Sequence, residues 1–237
     1  MRCVTSRKSP LGFALLSAAV WLAATSVASA HFVWIDSAAE GERTLVKSGF
    51  GEFDGWDPDL IDKISATVYS VKTTSGLKKL DMKLDEVEKE YRTTIDGAAP
   101  TTVVGTTDYG VVQFGPSPPG YLRYTAKRLL GEPKKWDDSA TTSLRVELVA
   151  KFAGDHVDLQ ALYLGKPAAA AKIKASLPNG DAVEMVTDAE GRATWKLAGP
   201  GNYGCYVGVK TPEEGTHGEK KYAVLMDYTT LSFTLAK

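Results

Sequence analysis

Between residues 172 and 197 apolar and polar side chains alternate one by one, and no other feature constrains the fold of this chain as tightly. Ile173, Ala175 and Leu177 interleave with Lys172, Lys174 and Ser176; Ala193, Trp195 and Leu197 interleave with Arg192, Thr194 and Lys196. Successive side chains of a strand point to opposite faces, so this spacing predicts strands with one buried and one solvated face. Turn sequences separate the runs: Pro178-Asn179-Gly180, Asp188-Ala189-Glu190-Gly191 and Gly199-Pro200-Gly201-Asn202. Glycine and asparagine supply the positive φ angles that tight turns need. Six or seven short strands are expected between Val157 and Ala236, at the spacing of a β-sandwich.

The preceding residues are also strand-rich but less regular. Candidate strands are His31–Asp36, Arg43–Ser48, Ile64–Val71, Val87–Ile95, Gly110–Phe114, Tyr121–Lys127 and Leu144–Ala150. Trp56–Ile61 reads as a short helical turn, and Leu80–Glu90 as either a helix or a charged edge hairpin. The loop Gly115–Gly120 carries three prolines, which lack the donor that a sheet interior requires. A boundary near Lys151–Asp155 divides the expectation into two domains, 31–152 and 155–237. The expected fold class is all-β, with two β-sandwich domains of immunoglobulin or transthyretin type.

Residues 1–30 read as a cleavable secretory signal peptide. Arg2, Arg7 and Lys8 precede an apolar stretch from Leu11 to Ala24, and Ala28-Ser29-Ala30 forms a small-x-small cleavage site. The apolar stretch is shorter than the ~20 residues of a spanning helix. The expected location is periplasmic or secreted. The segment holds three basic and no acidic residues; the whole chain has 28 and 29, so the chain from His31 onward has 25 and 29, a net of −4. That balance disfavours a nucleic-acid partner, which calls for a basic patch. Only Cys205 remains after cleavage. It cannot form an internal disulfide, so the fold rests on its core, and its apolar neighbours predict a buried thiol.

Several motifs of the C-terminal half occur together: Gly165-Lys166-Pro167, the run Ile173 to Gly180, Thr187-Asp188-x-x-Gly191 and Pro200-Gly201-x-Tyr203. This half resembles the transthyretin-like, carboxypeptidase-regulatory-like β-sandwich module, which implies an accessory fold and no particular chemistry. Over nearly all of residues 31–237, a second order of motifs appears. It runs His31-Phe32-x-Trp34, Tyr109-Gly110, Tyr124-x-Ala126-Lys127, Leu148-Val149 and a terminal strand after Tyr222. That order is similar to an exported bacterial domain-of-unknown-function family, often labelled as nickel-uptake, substrate-specific components. The resemblance implies metal handling in the periplasm with a membrane metal transporter as partner. The chain departs from the label in carrying no transmembrane helices of its own after signal cleavage.

His31 is the sharpest chemical candidate. Cleavage at Ala30 would give one residue both a free α-amine and an imidazole Nδ1, which can chelate one metal ion. A third nitrogen would complete a planar set suited to Cu(II) or Ni(II). His217 and His156 are the candidates for it. His217 lies in Gly215-Thr216-His217-Gly218, expected to be a loop between the last two strands; His156 follows Asp155 at the expected domain junction. His31 can instead simply open the first strand. The acidic stretch Glu52–Asp59 offers oxygen ligands for Ca²⁺ without the spacing of a known calcium loop. With Phe50, Phe53 and Trp56 it also offers a face for stacking on sugar rings.

No nucleophile elbow, phosphate-binding glycine loop, zincin helix or paired-cysteine site occurs, so the expected class is non-enzymatic. The leading expectation is a secreted or periplasmic protein that binds or delivers nickel or copper through His31, with His217 or His156 joining. The alternative is an extracellular carbohydrate-binding or adhesion module in which the aromatics near Trp56 act and metal plays no part. A copper-dependent oxygenase is the third class.

Overall fold

A computed structural model describes residues 31–96, 101–136, 139–141 and 143–236; the expected signal peptide lies outside the described residues. The fold is all-β: of the described residues, 65% are strand and 5% helix. In chain order the strands are β1 (Phe32–Glu40), β2 (Arg43–Glu52), β3 (Gly55–Trp56), β4 (Val68–Thr73), β5 (Gly76–Leu80), β6 (Lys83–Asp85), β7 (Glu90–Asp96), β8 (Thr101–Val112) and β9 (Gly120–Leu130). They continue as β10 (Val146–Phe152), β11 (His156–Tyr163), β12 (Lys166–Pro167), β13 (Lys172–Ser176), β14 (Ala182–Val186), β15 (Arg192–Lys196), β16 (Gly201–His217) and β17 (Lys220–Leu235).

Three sheets form. One has the order β1-β2-β7-β6 with β3 on β2; a second has β10-β11-β12 with β15 on β11; the third runs β14-β13-β16-β17-β9-β8-β4-β5. The long sheet is the middle layer of a stack, and the alternation of its two central strands shows this. On β9, Leu122, Tyr124, Ala126 and Leu130 join the core beneath β1, whereas Leu129 joins the core beneath β10. On β17, Met226 and Tyr228 face the first core, whereas Leu231 and Phe233 face the second. Alternate side chains of one strand point to opposite faces, so the β1 sheet and the β10 sheet cover opposite faces of the eight-stranded one.

The expected boundary at 152–155 falls in the tight hairpin between β10 and β11, where Ala153 N donates to His156 O at 2.9 Å. Two pairings cross it. β10 pairs with β11, and β17 pairs in parallel with β9 from Val224↔Gly120 to Ser232↔Arg128. Each core draws on residues from both sides of that boundary: the one centred on Phe32–Phe50 takes in Met226, and the one around Trp195, Tyr203 and Phe233 takes in Leu129, Val146 and Leu148. What joins them is a shared sheet. Cys205 lies fully buried in the second core, and burial pushes its thiol far above the ordinary range, so it is an inert structural residue.

Burial on both faces explains two charged side chains on β9. Lys127 Nζ meets Glu147 Oε1 of β10 at 2.5 Å and Leu148 O at 3.1 Å, with both charged side chains nearly inaccessible. Glu147 Oε2 accepts from Thr141 N at 2.7 Å. On the other face, Arg128 reaches Ser37 Oγ, Asp36 Oδ1 and Thr234 Oγ1 at 3.1, 3.1 and 2.5 Å. Burial pulls its guanidinium down to about 10 while Asp36 opposes the shift, so it remains charged at neutral pH.

Among the described residues β1 pairs on one side only, with β2. The carbonyls of its other edge are buried and would be orphans. Hydroxyls from the middle sheet satisfy them: Tyr124 Oη donates to His31 O at 3.1 Å, Thr230 Oγ1 to Val33 O at 2.8 Å and Ser232 Oγ to Ile35 O at 2.6 Å. Alternate residues of β1 thus hang on alternate residues of β17, with Tyr124 holding the first. This row of hydroxyls stands in for a missing neighbouring strand and fixes the start of the described chain.

Candidate functional site

His31 immediately precedes β1. Its carbonyl is held by Tyr124, whose phenol burial pushes well above its usual range and which therefore acts as a proton donor at neutral pH. Its ring packs against Phe50 at 5.8 Å, and its side chain is 30% exposed, so the residue is anchored but reachable from solvent.

The partner of the imidazole is Asp57. The segment carrying it is built by local rules. β2 and β3 pair as Gly51↔Trp56 and Glu52↔Gly55, which leaves Phe53 and Asp54 as the two turn residues. Asp57 then caps a 3₁₀ helix over Pro58–Ile64: Oδ1 accepts from Asp59 N at 3.0 Å, and proline occupies the first helical turn, where no donor is needed. Oδ2 lies 3.5 Å from His31 Nε2. One carboxylate oxygen therefore fixes the helix start and the other faces the imidazole, so backbone geometry orients the ring. The sequence placed a helical turn at Trp56–Ile61; the capping signal Asp57-Pro58 moves it to Pro58–Ile64 because Asp57 cannot be both cap and interior.

The other two histidines lie elsewhere. His156 opens β11, opposite Lys196 of β15. Its Nδ1 meets Asp155 Oδ1 at 2.8 Å and its Nε2 lies 3.6 Å from Asp158 Oδ1; the hydrogen bond from His156 holds the Asp155 carboxyl below its usual range. His217 sits at the end of β16, paired with Lys220 across a two-residue turn, and not in an open loop. It stacks on Tyr121 at 4.5 Å and 25°. Among the described residues no group of three His, Cys, Asp or Glu side chains is arranged to hold a metal ion. The structure thus gathers neither the three histidines nor a calcium set from Glu52–Asp59. The physical reason is topological: His31 borders the core under β1, whereas His156 belongs to the sheet on the opposite face.

The acidic, aromatic stretch is split between two tasks. Asp57 turns to His31. Glu52, Phe53, Asp54 and Trp56 instead line a cleft of about 760 Å³, whose far wall is made by the turns around Pro178 and Gly201. Two glycines seat the rings. A Cβ on Gly204 would fall 2.2 Å from the Phe53 ring, and one on Gly49 would fall 2.2 Å from the Trp56 ring. Each ring therefore lies with one face on bare backbone, a contact that any side chain at those positions would block.

On the opposite face, Asp227 of β17 is buried between two arginines. Arg123 binds it in bidentate fashion at 2.7 and 3.0 Å, and Arg145 approaches at 3.3 Å. This clamp ties β9 and the residue preceding β10 to β17.

No family model matches this chain, and no curated protein matches it.

Proposed function

We propose that this protein, once processed so that His31 is its first residue, binds a divalent transition metal outside the cytoplasm as cargo. The observation that supports it is the pairing of His31 Nε2 with Asp57, at a residue whose carbonyl is pinned by Tyr124. A carboxylate at one ring nitrogen fixes the ring and raises the basicity of the other. The nitrogen that can close a chelate ring with the α-amine of the same residue is Nδ1. The donor chemistry, one amine and one imidazole, suits Cu(II) or Ni(II). Two nitrogens from a single residue leave the remaining coordination positions to water or to a partner's donors. Such a site suits carriage and hand-over to a transporter better than permanent storage.

Two donors on one residue bind as a chelate, which is worth about 10²–10⁴ over either donor alone. Calorimetric titration of the chain beginning at His31 is expected to give one-to-one copper binding. A four-residue Gly-Ser extension, which carries the amine away from the ring, is expected to weaken it at least ~100-fold, and His31→Ala to do the same. Equal affinity in all three proteins would refute the site. Asp57→Asn keeps the helix cap but removes the charge facing Nε2; the expected loss is about tenfold in metal affinity with no change in unfolding midpoint. An unchanged affinity would show that Asp57 serves the helix alone.

A further inference from the structure

We propose that the cleft between the β2–β3 turn and the turns at Pro178 and Gly201 is a saccharide site, taking a neutral or amino-sugar oligosaccharide. It lies beside the His31 segment and does not depend on metal binding there.

Three observations carry this. First, the cleft is of ligand size, about 760 Å³, and contains two half-buried aromatic rings, Phe53 and Trp56. Each ring has one face seated on glycine backbone, at Gly204 and Gly49, which fixes its orientation at the cleft wall while leaving it half-exposed. Flat apolar faces of this kind match the CH-bearing face of a pyranose. Second, the polar groups at the cleft are held by partners behind them. Asn202 Oδ1 accepts from Thr234 Oγ1 at 2.6 Å, and Thr234 in turn accepts from buried Arg128. Asp36 is held by Arg128 and by Ser37 N at 2.7 Å. Glu90 is held by Lys47 at 3.2 Å and Arg92 at 2.7 Å. Preorganised amide and carboxylate groups are what hydroxyl recognition needs, since ordering them on binding would consume affinity. Third, charge selects the class. Asp36, Glu52, Asp54 and Glu90 line the cleft with Lys47 as the only cationic side chain among its lining residues. Even with Arg128 behind Asp36, carboxylates outnumber cations, which disfavours uronic-acid, sulfated or phosphorylated glycans and favours neutral or ammonium-bearing sugars.

The test uses the whole chain from His31 and four probes: cellotetraose, chitotetraose, the fully deacetylated chitosan tetramer and tetragalacturonate. Binding is read by calorimetry and by tryptophan fluorescence. At least one of the first three is expected to bind, and tetragalacturonate to bind at least tenfold more weakly. Trp56→Ala is expected to lower the affinity at least tenfold. Asn202→Ala, at the exposed rim where folding is not at stake, is expected to lower it severalfold. The Gly-Ser-extended protein that lacks the metal chelate is expected to bind sugar as the unextended one does, so failure of either site is read separately. No binding by any neutral or amino sugar, equal binding of tetragalacturonate, or affinity unchanged in both Trp56→Ala and Asn202→Ala overturns the proposal.

Discussion

Lys127→Met is expected to destabilise the fold by about 3–5 kcal/mol, because it strands the Glu147 carboxylate in the interior. Lys127 comes from β9 and Glu147 from β10, so the pair bolts the middle sheet to the sheet on its second face. Both side chains are almost fully shielded from water, and the lysine also donates to Leu148 O. A surface ion pair would be worth under about 1 kcal/mol; burial reverses the balance, since the carboxylate left there has no solvent and no cation, with only the Thr141 N–H still donating to it. The double variant Lys127→Met with Glu147→Gln removes both charges and keeps an acceptor for Thr141 N. It is expected to recover most of the loss. Denaturant unfolding of the four proteins of this cycle measures the coupling. A loss below about 1 kcal/mol for Lys127→Met would mean that water reaches the pair.

The second large effect is expected from the hydroxyl row under β1. Thr230→Val combined with Ser232→Ala removes the donors to Val33 O and Ile35 O while keeping nearly the same shape. A buried acceptor left without its donor costs about 1–3 kcal/mol, so the pair is expected to cost about 2–6 kcal/mol. Thr229→Val provides the control. It lies on the same strand but on the opposite face, and its hydroxyl makes only a 3.5 Å contact to a backbone oxygen; its expected cost is under about 1 kcal/mol. Denaturant midpoints decide between them. Hydrogen exchange of β1 in the double variant should also speed up, because among the described residues one edge of that strand pairs with no other strand. Equal costs for the two substitutions would mean that β1 is held by packing alone.

Much of the strand pattern was legible in the sequence. The alternation at Ile173–Leu177 and Ala193–Leu197 corresponds to β13 and β15, strands with one wet face. Leu80–Glu90 resolves into the hairpin alternative: Asp85 accepts from Val87 N and Glu88 N in the turn between β6 and β7. The stacking of three layers was not legible. β9 is buried on both faces, so its polar residues Thr125, Lys127 and Arg128 do not mark a solvent side, and period two loses its meaning there. The β17–β9 pairing joins residues about a hundred positions apart, and nothing local in either strand specifies it.

The candidate site was legible in part. His31 stands out by its place after a cleavage motif. Its partner Asp57 was hidden within an acidic run of similar residues, although the Asp-Pro step, a helix-capping signal, distinguishes it from Asp54 and Asp59. His156 and His217 looked equivalent as ligands because chain position says nothing about which face of a sheet stack a residue occupies.

On the function proposed above, the amine and imidazole of one residue, His31, bind one metal ion together. Electron paramagnetic resonance of the protein loaded with one equivalent of Cu(II), begun at His31 and made with ¹⁵N only in histidine, tests it most directly. A single copper species coupled to a histidine amine and a histidine imidazole nitrogen is expected, absent from the Gly-Ser-extended protein. A spectrum identical in the two proteins would contradict it and place the copper elsewhere.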